Sequence, residues 1–252
     1  MRRGVVGSDV DACTAVEMSE RIVAWARRGA SRYVCYANAH MLVLAGDDPD
    51  FGRVVRGADL VIADGRPLVW MLRAQGVQWQ RQIRGPDAMV DLLRQAAAEG
   101  LPVGFYGSTD AALEAMTTRA RAEFPGIRIA YRHSPPFRPV TPAEDAAETA
   151  AIAASGARLL FVGLGCPKQE RWMAAHRGRV PAVMLGVGAA FDQYSGRVPA
   201  CPPAFSVLGL EWAYRSLREP RRLLWRNLRS TTLFAARAAR QLLAGGRRGA
   251  RP

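Results

Sequence analysis

Lys168 is the only lysine in the 252-residue chain, and it stands in the run Gly163-Leu-Gly-Cys-Pro-Lys-Gln-Glu170, where an apolar segment passes through two glycines and a proline into charged residues. The pattern predicts strand, tight turn, helix. Proline suits the first helical position because its missing N–H would have no partner there. Gly163 and Gly165 carry no Cβ, so the backbone can come close to another group. A helix tip collects unpaired N–H groups at its positive end, a place for phosphate or another anion. Lys168, Gln169 and Glu170 fill that first turn, and lysine adds a point charge on a flexible stem. The same letters also describe a core strand and a helix with a solvated first turn.

A second chemical position is Asp64, directly after the apolar run Ala58–Ala63. A carboxylate past the carboxyl end of a buried strand lies on the edge where open α/β sheets bind ligands, and there it could take a proton from a hydroxyl; the alternative is a turn or cap. Asn38 in Asn38-Ala39-His40 follows another short strand, and an N-cap is its structural reading. Asp87 in Arg84-Gly85-Pro86-Asp87 suits the dipole at a helix start, and Gly186-Val-Gly188 leads to Phe191-Asp192.

These residues need a frame. Helical spacing over residues 14–28 places Ala15, Met18, Ile22 and Trp25 on one face. Strands are predicted at 32–36, 58–63, 101–106, 127–131 and 180–185, and one more leads into Gly163. Helices are predicted at 38–45, from Asp48-Pro49, at 66–74, from Arg84, at 110–123, at 142–154 and after Pro167. Alternating strand and helix predicts an α/β fold, a Rossmann-like parallel sheet with helices on both faces. Pro199, Pro202 and Pro203 mark a boundary, giving a core at 1–198 and a basic, helical C-terminal appendage at 199–252.

Net charge is +13 and the pI about 10.8, which calls for an anionic partner. The excess sits in the appendage: from residue 215 onward Arg215, Arg218, Arg221, Arg222, Arg226, Arg229, Arg237, Arg240, Arg247, Arg248 and Arg251 face a single acid, Glu219. Leu208, Trp212, Leu224, Trp225, Leu228 and Phe234 are interleaved with them, a mixture that suits an anionic membrane surface better than a solvated arm. An arginine-rich tail on nucleic acid is the alternative, but no helix-turn-helix or RNP-type motif supports a specific complex. The apolar 204–234 region would equally serve an interface between copies of the chain. Cys13, Cys35, Cys166 and Cys201 are too dispersed for a disulfide framework or, with the three scattered histidines, a zinc site. Mean hydropathy is −0.07, no apolar run reaches the roughly 18 residues of a spanning helix, and no signal-peptide core follows the basic start, so the expected compartment is cytoplasmic. Gly163-x-Gly165 falls short of a nicotinamide fingerprint, because position 168 is lysine.

Asn38-Ala39-His40, Ala63-Asp64-Gly65, Arg84-Gly85-Pro86-Asp87, Gly163-Leu-Gly-Cys-Pro-Lys-Gln-Glu170, Gly186-Val-Gly188 and Gly209-Leu-Glu-Trp212, in this order and spacing, resemble the WecG/TagA/CpsF family of bacterial glycosyltransferases. The resemblance implies an inverting hexosyltransferase with no metal and no cofactor. Its UDP donor would carry an N-acetylmannosamine-type or related sugar, and its acceptor would be a polyprenyl-diphosphate-linked sugar in cell-surface polysaccharide biosynthesis. The enzyme would be peripheral on the inner face of the cell membrane. It further implies Asp64 as the base. Gly163, Gly165, Lys168, Gln169, Glu170, Gly188, Arg215 and Arg222 would serve the donor diphosphate, and Asn38, His40, Gly65, Arg84, Asp87 and Asp192 the sugar side. Tyr36 stands where the family commonly has threonine, Ala200 where it has arginine, and Trp225 one position before the matching Arg226.

Overall fold

The computed structural model describes residues 1–198 and 220–249. One sheet carries β1 (Arg2–Val5), β2 (Ser8–Asp11), β3 (Arg32–Ala37), β4 (Leu60–Ala63), β5 (Val103–Gly107), β6 (Ile129–His133), β7 (Leu159–Gly163) and β8 (Val183–Gly186), in the order β1-β2-β4-β3-β8-β7-β5-β6. Every pairing is parallel except the β1–β2 hairpin at one edge. The helices are α1 (Ala15–Arg27), α2 (Ala39–Asp47), α3 (Pro49–Arg56), α4 (Arg66–Ala74), α5 (Gly85–Glu99), α6 (Asp110–Glu123), α7 (Pro142–Ser155), α8 (Lys168–His176), α9 (Ala190–Tyr194) and α10 (Pro220–Gly249).

The strands are apolar on both sides because both sides are covered. Cys35, Ala37, Val61 and Ala63 face a cluster shared with α2, α3, α4, α7, α8 and α10. Their neighbours Val34, Tyr36, Leu60 and Ile62 face a second cluster with α1, α5, α6 and α9. Local chemistry sets the helix starts: Thr14 and Thr141 form capping boxes with Glu17 and Glu144, and Asp48 and Thr109 cap α3 and α6. The register then decides what meets at the carboxyl edge. Tyr36 pairs with Ile62 and Ala37 with Ala63, so β3 and β4 end level and deliver Asn38 and Asp64 side by side. Gly186 at the end of β8 pairs with Cys35 on one side and Val162 on the other.

Three differences from the sequence reading have physical reasons. The β1–β2 hairpin was not predicted, since its turn uses Val6 at φ 49°, a conformation that a β-branched residue rarely adopts. Pro167 is the N-cap of α8, with φ −94° and ψ 3°, and Lys168 is the first helical residue. Strands β5, β6 and β8 begin two or three residues later than their apolar runs, because the first apolar residues belong to the entering loops.

The described part of the tail is docked against the core. Ser230, Phe234 and Ala238, four residues apart, are buried, and Phe234 and Ala238 join the cluster around α2. Arg237 donates to the Val43 carbonyl at 3.2 Å and pairs with Asp47, while Gln241 accepts the Val6 N–H and donates to the Gly4 carbonyl, both at 2.7 Å. Trp225, Leu228, Leu242 and Leu243 remain exposed. Among the described residues no helix is long and apolar enough to cross a membrane. The expected hinge and Arg215 lie outside the described residues. Phe234→Ala, which empties the α10–α2 contact, is expected to cost about 3–5 kcal/mol, read as a lowered urea midpoint.

Candidate active site

Four strand ends and the start of α5 converge on the carboxyl edge of the sheet. Asp64 is half-buried there. Its backbone N–H donates to the Ala37 carbonyl at 2.9 Å, and its side-chain Oδ1 accepts the Gly85 N–H at 3.1 Å. That donor belongs to the first turn of α5, whose positive end favours the charged carboxylate. The α5 start in turn lies over the sheet: a Cβ on Gly85 would stand 3.6 Å from the Val187 carbonyl and 3.8 Å from Tyr36. Tyr36, buried at 4% exposure on the opposite side of the sheet from α2, therefore reads as part of the floor beneath Arg84-Gly85.

Gly65 also donates to Ala37, and a Cβ on it would come within 3.1 Å of Asn38 Cα. A side chain there would have to push the Asn38 backbone back by a few tenths of an ångström. The Asn38 side chain caps α2, accepting from the Met41 N–H at 3.1 Å, and Asn38 is exposed. His40, on the next turn, lies with Nδ1 2.9 Å from Ser230 Oγ of α10, so the C-terminal helix reaches the motif directly. Ser230 was missed in the sequence; its place in the Ser230, Phe234, Ala238 stripe was the available signal. Arg84 stands 3.5 Å from the exposed Asp87, and Asp192 lies in α9, its carbonyl accepting the Val198 N–H at 3.0 Å.

The glycine turn after β7 is built differently from a bare anion cradle. A Cβ on Gly163 would strike the Phe191 ring at 2.6 Å, so that glycine makes room for α9. Gly165 has open space around it but φ +78°, and Gly188 has φ +52°, conformations that glycine adopts without strain. Gln169 is buried beneath both turns. Its Oε1 accepts the Gly165 N–H at 3.1 Å, while Nε2 donates to the Gly186 carbonyl at 2.9 Å and to Glu170 Oε1 at 2.7 Å. One N–H of the expected anion site is thus already engaged. Lys168 is exposed at the tip, whereas Glu170 is fully buried. Arg222 lies in α10 but its side chain, like all of Arg215, lies outside the described residues.

Two Asp-x-Asp sequences occur, and both are committed locally. Asp11 of Asp9-Val-Asp11 accepts the Val61 N–H at 2.9 Å and pairs with Arg2, and Asp48 of Asp48-Pro-Asp50 caps α3 and pairs with Arg171.

Burial pushes the Glu170 carboxyl up to about 7, outweighing the Gln169 and Cys166 hydrogen bonds that favour its charged form. With the folded value above the unfolded one, folding is unaffected below about 4.5 and loses stability as pH rises towards 7. Glu170→Gln is expected to remove that loss, on the order of 3 kcal/mol, as a flatter plot of urea midpoint against pH.

Residues 3–248 match the model of the glycosyl transferase WecG/TagA/CpsF family. The chain is also 34% identical, over 200 residues, to a Bacillus spizizenii protein named N-acetylglucosaminyldiphosphoundecaprenol N-acetyl-beta-D-mannosaminyltransferase, the match covering 79% of this chain and 75% of the relative. With a match across nearly its whole length and a parallel sheet whose carboxyl edge gathers Asp64, Arg84 and the Gln169 turns, the chain belongs to the WecG/TagA/CpsF family of glycosyltransferases.

Proposed function

We propose that the chain transfers an N-acetylmannosamine-type or related sugar from a UDP donor to a polyprenyl-diphosphate-linked sugar, with inversion and without a metal ion. The observation that carries the reading is Asp64 itself: a carboxylate at the carboxyl edge, oriented by the Gly85 N–H and flanked by Asn38. The named substrate of the Bacillus spizizenii relative supports the same donor sugar and acceptor class.

In this mechanism the acceptor hydroxyl attacks the anomeric carbon from the face opposite the diphosphate. Asp64 takes the hydroxyl proton as the new C–O bond forms and the bond to the diphosphate breaks, releasing UDP. Negative charge develops on the leaving oxygen and is met by Lys168 at the α8 tip and by Arg215 and Arg222 of the tail. Gly163, Gly165 and Gly188 shape the donor side with Gln169 and Glu170 beneath them. Asn38, His40, Gly65, Arg84, Asp87 and Asp192 line the sugar side.

A lipid-linked acceptor requires the cleft to approach a bilayer. The exposed Trp225 and Leu228 lie on the same helix as Ser230, which touches His40, and apolar side chains among arginines suit an anionic surface. The chain would thus be peripheral on the inner face of the cell membrane, with residues 199–252 acting as the appendage to a 1–198 core.

Asp64→Asn preserves the oxygen that accepts from Gly85 and is expected to fold normally while losing about 10²–10⁴ in kcat, measured as UDP release with a short-chain polyprenyl-diphosphate N-acetylglucosamine acceptor. Full turnover in that variant would exclude the base assignment, and activity lost to a chelator and restored by a divalent ion would exclude the metal-free reading. Replacing Trp225 and Leu228 by serine is expected to reduce co-sedimentation with anionic vesicles without changing UDP release when the acceptor is water-soluble.

A further inference from the structure

The buried pair Gln169–Glu170 is larger in its reach than a donor contact would require. The Gln169 carboxamide spends its acceptor on Gly165 and both its hydrogens on Gly186 and Glu170. The bonds to Gly165 and Gly186 join the turn after β7 to the turn after β8. Both turns contain a glycine with positive φ, and neither neighbour leaves slack: a Cβ on Gly186 would lie 3.2 Å from Gln169 Nε2, and one on Gly188 would lie 3.3 Å from Oε1. The amide can satisfy these partners in only one orientation, because exchanging its oxygen and nitrogen would set N–H against N–H at Gly165 and oxygen against oxygen at Gly186. Glu170 adds a second acceptor on the nitrogen side, which reinforces that orientation.

We infer that Glu170 is a positioning residue for transfer: it orients the Gln169 carboxamide, and that carboxamide sets the distance between the two glycine turns that frame the donor diphosphate. The inference rests on the proposed donor cleft. Neither side chain needs to touch the sugar nucleotide. The titratable groups around Glu170 are the Cys166 thiol on the same turn and the Cys35 thiol on β3; Arg171, next in α8, turns away to Asp48 on α3. Ionisation of Glu170 would place a charge in this enclosed site, where burial already pushes its proton affinity up to about 7. Raising the pH through that value is then expected to loosen both turns together.

Amide hydrogen exchange without substrate tests the linkage apart from any assumption about the reaction. In the wild-type chain, protection of residues 163–166 and 186–188, corrected for intrinsic rates, should fall in step as pH rises through about 7. Glu170→Gln should remove that dependence and keep the two turns protected, since it still offers an oxygen to Gln169. Gln169→Leu, similar in size but unable to bridge, should expose both turns at once and lower kcat/KM for the UDP-sugar by about 100-fold, with the loss mainly in donor KM. Loss of protection in one turn only, or an unchanged pH dependence in Glu170→Gln, would overturn the inference. If Gln169→Leu does not fold, the Glu170→Gln comparison decides alone. A chain inactive on every UDP-sugar, with the exchange pattern as expected, would reject the proposed donor and leave the linkage standing.

Discussion

The carboxamide of Gln169 is the constraint on which the two turns after β7 and β8 depend. Parallel strands that end side by side leave their terminal N–H and C=O groups without ladder partners, and a buried group left unpaired costs about 1–3 kcal/mol. At β7 and β8 the Gly165 N–H and the Gly186 carbonyl are both satisfied by one side chain from the first turn of α8. The glycines follow from this arrangement. With the carboxamide packed against Gly186 and Gly188 there is little room for a Cβ, and the positive φ of Gly165 and Gly188 brings the chain back over the amide.

The ends of β3 and β4 use a complementary device. Asp64 is anchored through its own backbone to β3 and through its side chain to the tip of α5. Its position is thereby coupled to two different connections, one on each face of the sheet. A carboxylate held this way has little orientational freedom left to lose. The arrangement also bears on Gly65, which stands where the Asn38 backbone comes close.

Most of the frame was legible in the chain because its punctuation is strong. Helices α4 and α6 span the residues 66–74 and 110–123 expected of them. Asp64 could be placed because a short apolar run before it fixed the strand end. The Gln169 linkage could not be read, since it depends on β8 lying beside β7, a pairing between segments about 20 residues apart that no local pattern specifies. Tail docking was obscured for a different reason: the arginines dominated the reading, although Ser230, Phe234 and Ala238 share a face. A signal did exist in the partner. Helix α2 buries Met41, Leu42, Val43 and Ala45, a nearly all-round apolar surface that a single sheet face cannot cover. What it needed was a second helix.

The β1–β2 hairpin and α10 meet through Gln241, which accepts from Val6 and donates to Gly4, whose carbonyl also accepts from Gln75 just past α4. On a ribosome the hairpin and α2 emerge long before α10, at rates near 5–20 residues per second. The apolar flank of α2 is therefore uncovered, and His40 without its contact to Ser230, until α10 has been made. A chain ending before α10 would therefore expose that apolar flank.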